Sequence, residues 1–442
     1  MGLQRYEVVI VGAGVTGAAL AYVLARYSDV QSIAVLEKEG RAAALNSAAS
    51  QNSQTLHCGD LETNYTLDKA AEVRRAAGMV LRYVEVTGEG GILQRMPKMV
   101  LAVGEAEVEL LRGRFEPLRT LFPDLRLLDT AGVAAVEPEV GRPGGRLRRE
   151  PLMALARPPT PCAADFGALT VSLLRQAQHL HPRLDLRLNC RVQAIEPAPS
   201  AHRLRLPDGV IEARCVAVCA GAHSLAFAHA LGHGRRYAIL PVAGSFYHAP
   251  LKVRGKVYTV QDARLPFAAI HADPDITQPQ RMRLGPTALA VPFLERRRWA
   301  SVPQFLRMLR VNADVAATFA HVLGQPHLRR YALRNLLYEL PLLGVRAFVR
   351  EARKILPDLR VVELRYAHGH GGLRPQLLDL EARRLHFGPA KIAVADGLLF
   401  NITPSPGATS CLANAVEDAA GITAQLGRRL RQEEIERDLM GP

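Results

Sequence analysis

The feature that most constrains this chain lies in its first forty residues. Residues 6–11 (YEVVIV) form a short, β-branched, apolar run, the composition of a strand buried on both faces of a parallel sheet. Gly12-Ala13-Gly14-Val15-Thr16-Gly17 follows without a spacer, and residues 18–27 then read as a helix with small residues on its packing face. Residues 32–36 (SIAVL) read as a second strand, which Glu37 ends. Each glycine has a separate task. Gly12 permits the tight turn, Gly14 lets backbone approach a pyrophosphate, and Gly17 lets helix and strand pack closely. The helix N-terminus points free N–H groups and a partial positive charge at phosphate. Glu37 lies 20 residues past Gly17, where a carboxylate reaches ribose hydroxyls. A glycine triplet alone is a weak signal. The strand before it, the helix after it and the acid beyond make this one a dinucleotide site.

At 442 residues and 48% apolar composition the chain is globular, with room for two or three domains of α/β or mixed class. Its 56 Lys and Arg against 42 Asp and Glu leave a net charge of +14, which suits an anionic partner: a phosphate-bearing cofactor, an acidic substrate or a membrane surface. Few aromatics and no helix-turn-helix or RNA-binding signature argue against nucleic acid. None of the six cysteines forms a CxxC pair, which disfavours a zinc ribbon or redox pair, and no metal site is expected. They are too sparse for a disulfide framework, so a reducing, cytoplasmic setting is expected. No secretory h-region precedes the first strand, and no run of 18 apolar residues occurs. Any membrane contact is therefore expected to be peripheral, on the inner face of the cell membrane.

Residues 41–59, rich in Ala, Ser, Asn and Gln, suit a long loop that wraps a ligand. A helix is predicted over 67–85. Pro, Gly and charged residues crowd 132–162, which reads as a connection between lobes. Asp165 is a candidate cap for a helix to about 180. Strands are predicted over 184–195, 203–213 and 214–219, with a Pro-Asp-Gly turn at 207–209. A second sheet is predicted over 237–294. Residues 302–356 read as helical and basic. There Val302, Phe305, Leu306 and Leu309 share one face, with Arg296, Arg297, Arg298, Arg307 and Arg310 around them. Residues 331–343 are strongly apolar, interrupted by Glu339 and Pro341. Two readings stand for this stretch: a membrane face that meets a quinone, or core-packed helices with solvated arginines. A late strand over 398–402 leads through a turn at 403–407 into a C-terminal helix.

Three segments carry a resemblance. Asn52-Ser53-Gln54-Thr55-Leu56-His57-Cys58-Gly59 resembles the Ser-x-x-x-His-x-Gly loop of D-amino-acid-oxidase-like flavoproteins. Val218-Cys219-Ala220-Gly221-Ala222 resembles that group's strand ending in a glycine turn. Gly371-Gly372-Leu373-Arg374-Pro375-Gln376, followed by Pro406-Gly407-Ala408-Thr409-Ser410, resembles its Gly-x-Arg-Pro segment and final flavin-contacting helix start. The nearer likeness, in NSQTLHCGDLETNYT, PVAGSFY, LGPTALAVP, GGLRPQ and NITPSPGATSCLANA, is to malate:quinone oxidoreductases. It covers nearly the whole chain in order. L-2-hydroxyglutarate dehydrogenases share two of the segments, so they are the alternative within the enzyme class. A basic binding protein on a catalytically silent flavin scaffold is the alternative outside it.

The resemblance implies a glutathione-reductase-like Rossmann domain that binds FAD (1–85, 161–235 and 363–442). A mixed β-sheet substrate domain (86–160 and 236–362) would carry the helical insertion. It implies FAD contacts from Lys38, Asn52, Ser53, Gln54, Val192, Ala220, Gly221, Gly407, Ala408, Thr409 and Ser410, beside Gly12, Gly14, Gly17 and Glu37. The implied reaction is oxidation of a small 2-hydroxy (di)carboxylate with electrons passed to quinone. A guanidinium forms two parallel bonds to a carboxylate, so Arg374 is the candidate anchor. Its alternative is a surface salt bridge. Arg283 and Thr287 are candidates for a second carboxylate. The hydroxyl needs a base, for which His57, His271, His368 and His370 are candidates. In some relatives a histidine in the first loop is joined covalently to flavin, so His57 is also a candidate tether.

Overall fold

The computed structural model describes residues 3–262, 264–265, 269–310, 312–386, 390–402 and 406–441. The first βαβ unit is β1 (Gln4–Val11), α1 (Val15–Tyr27) and β2 (Ile33–Leu36). Helix α1 begins three residues before the predicted start, because Gly14 itself is the extended residue that caps it. Eleven of its thirteen residues are buried, among them Ala18, Ala19, Leu20 and Val23. So small a face lets α1 lie close under the sheet, flanked by the helices Phe166–Leu180 and Cys411–Leu426.

β1 is central in an eight-stranded sheet. It pairs in parallel with β2 on one side and with Gly209–Val218 on the other. Leu184–Arg187 extends the sheet beyond β2, and Leu398–Ile402 extends it beyond Gly209–Val218, both in parallel. Ala390–Val394 closes that edge antiparallel, and a hairpin, Ala194–Ala198 and Ala201–Leu206, branches from Gly209–Val218. The carboxyl ends of β1, β2 and Gly209–Val218 thus converge, which is where open α/β sheets bind ligands.

A second sheet of eight strands is mixed: Leu93–Val103 pairs antiparallel with Leu152–Ala164 and parallel with Lys256–Thr259. Tyr237–Ala243 and Leu373–Asp379 form the centre of a third, four-stranded antiparallel sheet. Residues 302–352 carry the helices Val302–Leu309, Ala313–Gly324, Pro326–Tyr338 and Leu343–Ala352. The expected α/β class, with a mixed sheet and a helical insertion, is what the chain adopts.

Three local expectations are corrected. Residues 132–162 are not a connection: they contain most of the helix Thr130–Val136, capped by the Asp129 carboxylate, and most of the 13-residue strand Leu152–Ala164. Its prolines misled the reading. Pro158 and Pro159 sit where the register shifts against Leu93–Val103, so no ladder bond needs their missing N–H. Residues 184–195 are not one strand. Asn189 takes φ of 54° and turns the chain out of the first sheet before it re-enters as Ala194–Ala198. Residues 203–213 and 214–219 are instead a hairpin partner and one continuous strand, Gly209–Val218, meeting at the Pro207-Asp208 turn. The Asp165 cap is present: its carboxylate accepts the Ala168 N–H at 2.9 Å. The predicted turn at 403–407 lies outside the described residues for 403–405.

Candidate active site

The glycine turn is tight for stated reasons. Gly12 takes φ of +108°, and a Cβ there would lie 2.6 Å from the Cys219 carbonyl oxygen. A Cβ on Gly17 would lie 2.0 Å from the Gly12 carbonyl oxygen. Glu37 is tied to the same turn: its Oε2 accepts the Ala13 N–H at 2.8 Å, and its Oε1 accepts the Glu39 N–H at 2.9 Å. The Val15 N–H donates to Ser47 Oγ at 2.9 Å, which fastens the 41–59 loop over the start of α1.

A cavity of about 490 Å³ opens at this turn. Of the expected FAD contacts, Gly12, Gly14, Glu37, Lys38, Asn52, Ser53, Val192, Ala220, Gly221, Gly407, Ala408 and Thr409 line it, together with His57 and Arg374. These come from seven separate stretches of sequence. The lining suits FAD. A glycine turn leaves backbone room for a pyrophosphate, an acid stands at the ribose position, and Gly407, Ala408 and Thr409, just ahead of the helix Cys411–Leu426, line the cavity as well.

At one end the segment after Ala290 closes over the lining. Glu295 accepts from His223 Nε2 at 2.8 Å and pairs with Lys38 and Arg298. Burial disfavours its charge, yet the hydrogen bonds from His223 and Lys38 prevail and hold its pKa down at about 2. Arg298 also reaches Glu39 at 2.7 Å.

Arg374 occupies another part of the lining, on the strand Leu373–Asp379. It has no carboxylate partner among the described residues. Burial lowers its pKa, while the phenols of Tyr331, Tyr258 and Tyr65 act in the opposite sense. A guanidinium held beside a cavity without an acid is a site for an incoming anion. Asn46 sets its position: Nδ2 donates to the Leu373 carbonyl at 2.9 Å and Oδ1 accepts the Leu373 N–H at 3.0 Å.

His57 is fixed at two points. Its N–H donates to Thr409 Oγ1 at 3.1 Å, and its Nδ1 lies 2.6 Å from Glu62 Oε1. Behind it is a buried polar network. Tyr258 shares a 2.8 Å hydrogen bond with Thr55 Oγ1, Lys256 donates to Thr55 at 3.0 Å, and Asp273 holds Lys256 at 3.1 Å.

The remaining expected residues lie off the lining. Gly17 sits one layer below it, packed on Gly12. Gln54 is buried, bonding Asp275 and the Ile276 N–H. Ser410 precedes the helix Cys411–Leu426. His271 is 1% exposed, stacked on Tyr258 and paired with Asp273 at 2.7 Å. Burial lowers its pKa. His370 packs edge-on against His248, and its Nδ1 faces the His368 carbonyl. His368 is exposed. Arg283 lies off the lining, where its Nε donates to Asp275 and its Nη1 to the carbonyls of Ala49 and Asn52, so it pins the 41–59 loop. Thr287 Oγ1 donates to Glu339 and accepts the Ser245 N–H.

Sequence reasoning did not single out Asn46, Ser47, Glu62 or Glu295. Glu62 stood five residues after His57 in a quoted segment. For Glu295, 257 residues from Lys38, no local signal existed.

With fold and cavity together, the class is defined: the chain belongs to the FAD dependent oxidoreductase family, whose sequence model matches residues 7–416. It is 39% identical to the probable malate:quinone oxidoreductase of Campylobacter jejuni over 100% of both chains. It is 38% identical to the malate:quinone oxidoreductase of Helicobacter pylori strain 26695 over 99% of this chain and 98% of the relative. Mitochondrial L-2-hydroxyglutarate dehydrogenase of Homo sapiens is 26% identical over 93% of this chain and 87% of its own. Among solved structures, FAD-bound L-alpha-glycerophosphate oxidase from Mycoplasma pneumoniae superposes with a TM-score of 0.67 at 17% identity, covering 96% of this chain and 95% of that one. Glycine oxidase from Geobacillus kaustophilus gives 0.66 at 18% identity, with 95% coverage of each. FAD is the cofactor of this fold and of this family.

Proposed function

We propose that this chain oxidises a 2-hydroxy dicarboxylate, (S)-malate first among them, to the 2-oxo acid, and that a membrane quinone receives the electrons. The observation that carries this reading is Arg374, a guanidinium on the lining with no acidic partner among the described residues. One carboxylate of the substrate takes the place of that partner through two parallel charge-assisted bonds. When bound, FAD supplies a two-electron acceptor for the carbinol hydride. His57, the one candidate histidine on the lining, takes the hydroxyl proton. Thr409 and Glu62 hold it in place. The names of the 39% and 38% identical relatives support malate as substrate and quinone as acceptor.

The test is anaerobic reduction of the purified holoprotein by a panel of 2-hydroxy acids. Malate is expected to bleach the flavin absorbance faster than 2-hydroxyglutarate at equal concentration. The reverse order would transfer the assignment to the L-2-hydroxyglutarate dehydrogenases.

The acceptor side rests on the helical insertion. Among the described residues no helix is long and apolar enough to cross a membrane. Leu333, Leu336, Leu337, Leu340, Leu342 and Leu343 are nonetheless exposed, Leu342 at 84%. Arg329, Arg330, Arg334, Arg346 and Arg350 are exposed around them. In Val302–Leu309 the buried residues are Phe305 and Met308, while Leu306 of the predicted apolar face is exposed. Apolar side chains ringed by arginines fit the headgroup boundary of an anionic bilayer. Holoprotein is expected to co-sediment with phosphatidylglycerol vesicles, and the Leu333→Glu, Leu342→Glu variant to remain in the supernatant. Equal partition of the two would remove this surface from the reading.

A further inference from the structure

We infer that Glu62 is a positioning residue for the oxidation, holding His57 so that Nε2 is the atom that accepts the substrate's hydroxyl proton. This deepens the reading above and rests on it. The turn after the His57 segment fixes where Glu62 stands. Gly59 takes φ of +83°, and a Cβ there would lie 2.5 Å from the Ala70 carbonyl oxygen. The chain therefore folds back at a fixed point. The Tyr65 N–H then closes on the Glu62 carbonyl at 3.1 Å, and Arg114 ties the Tyr65 carbonyl at 2.9 Å. These bonds fix the backbone that carries Glu62.

From that backbone the Glu62 carboxylate reaches His57 Nδ1 at 2.6 Å. A carboxylate oxygen accepts hydrogen bonds, so Nδ1 is the donor that carries the hydrogen and Nε2 keeps its lone pair. Nε2 has no hydrogen-bond partner among the described residues, and His57 borders the cavity. The second Glu62 oxygen, Oε2, is buried without a partner. A carboxylate kept in the interior with half its bonding capacity unmet is held there against its solvation. An imidazolium forming beside it supplies the missing positive charge.

The step balances. The substrate O–H bond breaks and its proton goes to His57 Nε2. The C–H bond breaks and its hydrogen would leave with the bonding pair, as hydride, for bound FAD. A C=O bond replaces both, and bound FAD would be the acceptor for the two electrons the substrate loses. Glu62 takes no proton. It stabilises the charge that His57 acquires, the role a carboxylate plays behind any histidine base. The other charged groups nearby are the Asp60–Lys98–Arg157 set, Arg114, Arg374 and the buried His271–Asp273–Lys256 set.

The experiment compares holoprotein with Glu62→Gln and Glu62→Asp in anaerobic stopped flow, reading flavin reduction against malate concentration. Binding of succinate, which lacks the hydroxyl, is read separately from its perturbation of the flavin spectrum. Glutamine keeps the shape and loses the charge. The saturating rate of Glu62→Gln is expected to fall about 100-fold or more. Its flavin content and succinate affinity are expected to stay within about twofold, because Arg374 is intact. Glu62→Asp restores a carboxylate and is expected to recover part of the rate. An unchanged saturating rate in Glu62→Gln overturns the inference. So does a Glu62→Gln protein without flavin, or a loss in succinate affinity equal to the loss in rate, since either makes Glu62 structural. If no 2-hydroxy acid reduces the unmodified holoprotein, the proposed function has failed, and that is visible before any variant is made.

Discussion

Replacing Arg374 by Met separates a substrate anchor from a structural arginine, because the two make opposite predictions for stability. Met fills similar length with an unbranched apolar chain and removes the charge. Each hydrogen bond to a charged group is worth about 1.5–3 kcal/mol, so losing a bidentate carboxylate contact costs about 3 kcal/mol or more. That corresponds to a roughly hundredfold or greater rise in the malate concentration giving half-maximal flavin reduction. The fold should not suffer. No described acid pairs with Arg374, and burial already works against its charge, so the variant strands no carboxylate. Its melting temperature is expected to equal or exceed that of the unmodified holoprotein. Stopped-flow reduction under anaerobic conditions reads the first quantity and flavin fluorescence during heating reads the second. An unchanged half-saturating concentration refutes the anchor. A melting temperature lower by several degrees refutes the claim that Arg374 is unpaired.

Gly17→Ala places a Cβ 2.0 Å from the Gly12 carbonyl oxygen, so α1 must move off the sheet. Overpacking of this kind costs about 1–3 kcal/mol, and the absorbance ratio of flavin to protein after purification is expected to drop. A fully yellow, equally stable variant would contradict the packing described. Glu295 has a folded pKa of about 2 against an ordinary value of 4.5. Its stabilising contribution is therefore complete above the ordinary value and lost as pH falls through about 2; it amounts to about 3 kcal/mol. Denaturant melts of holoprotein at decreasing pH should show a steeper acid loss than Glu295→Gln does; identical slopes would mean the Lys38 and His223 contacts contribute nothing.

The dinucleotide unit was legible because its logic is local. Strand, turn, helix and acid occupy residues 4–37, and Gly17 packs on Gly12 within that span, while the close approach of Gly12 to the Cys219 carbonyl is a part that sequence-local logic does not contain. The resemblance located the far-off parts of the lining, including Arg374 and Gly407–Thr409. It served less well for the histidines. Four stood in matched segments, but β-strand direction sends His271 into the interior and a tight turn sets His370 against His248, which only tertiary structure reveals. Arg283 illustrates the same limit: its charge suggested a ligand, while its bonds to Ala49 and Asn52 make it a brace for the loop. Residues 132–162 were misread because prolines usually break strands, and a register shift that accommodates them leaves no mark in composition.

The paired bonds from Asn46 to the backbone of Leu373 join the loop that lies over α1 to the strand that bears Arg374. Two recognition events thus share one hinge. By thermodynamic reciprocity, whatever the prosthetic group adds to the grip on a dicarboxylate, the dicarboxylate returns to the grip on the prosthetic group. The flavin should therefore bind more tightly in the presence of an unreactive diacid, its equilibrium affinity rising by the same factor through which loading the flavin sharpens diacid affinity.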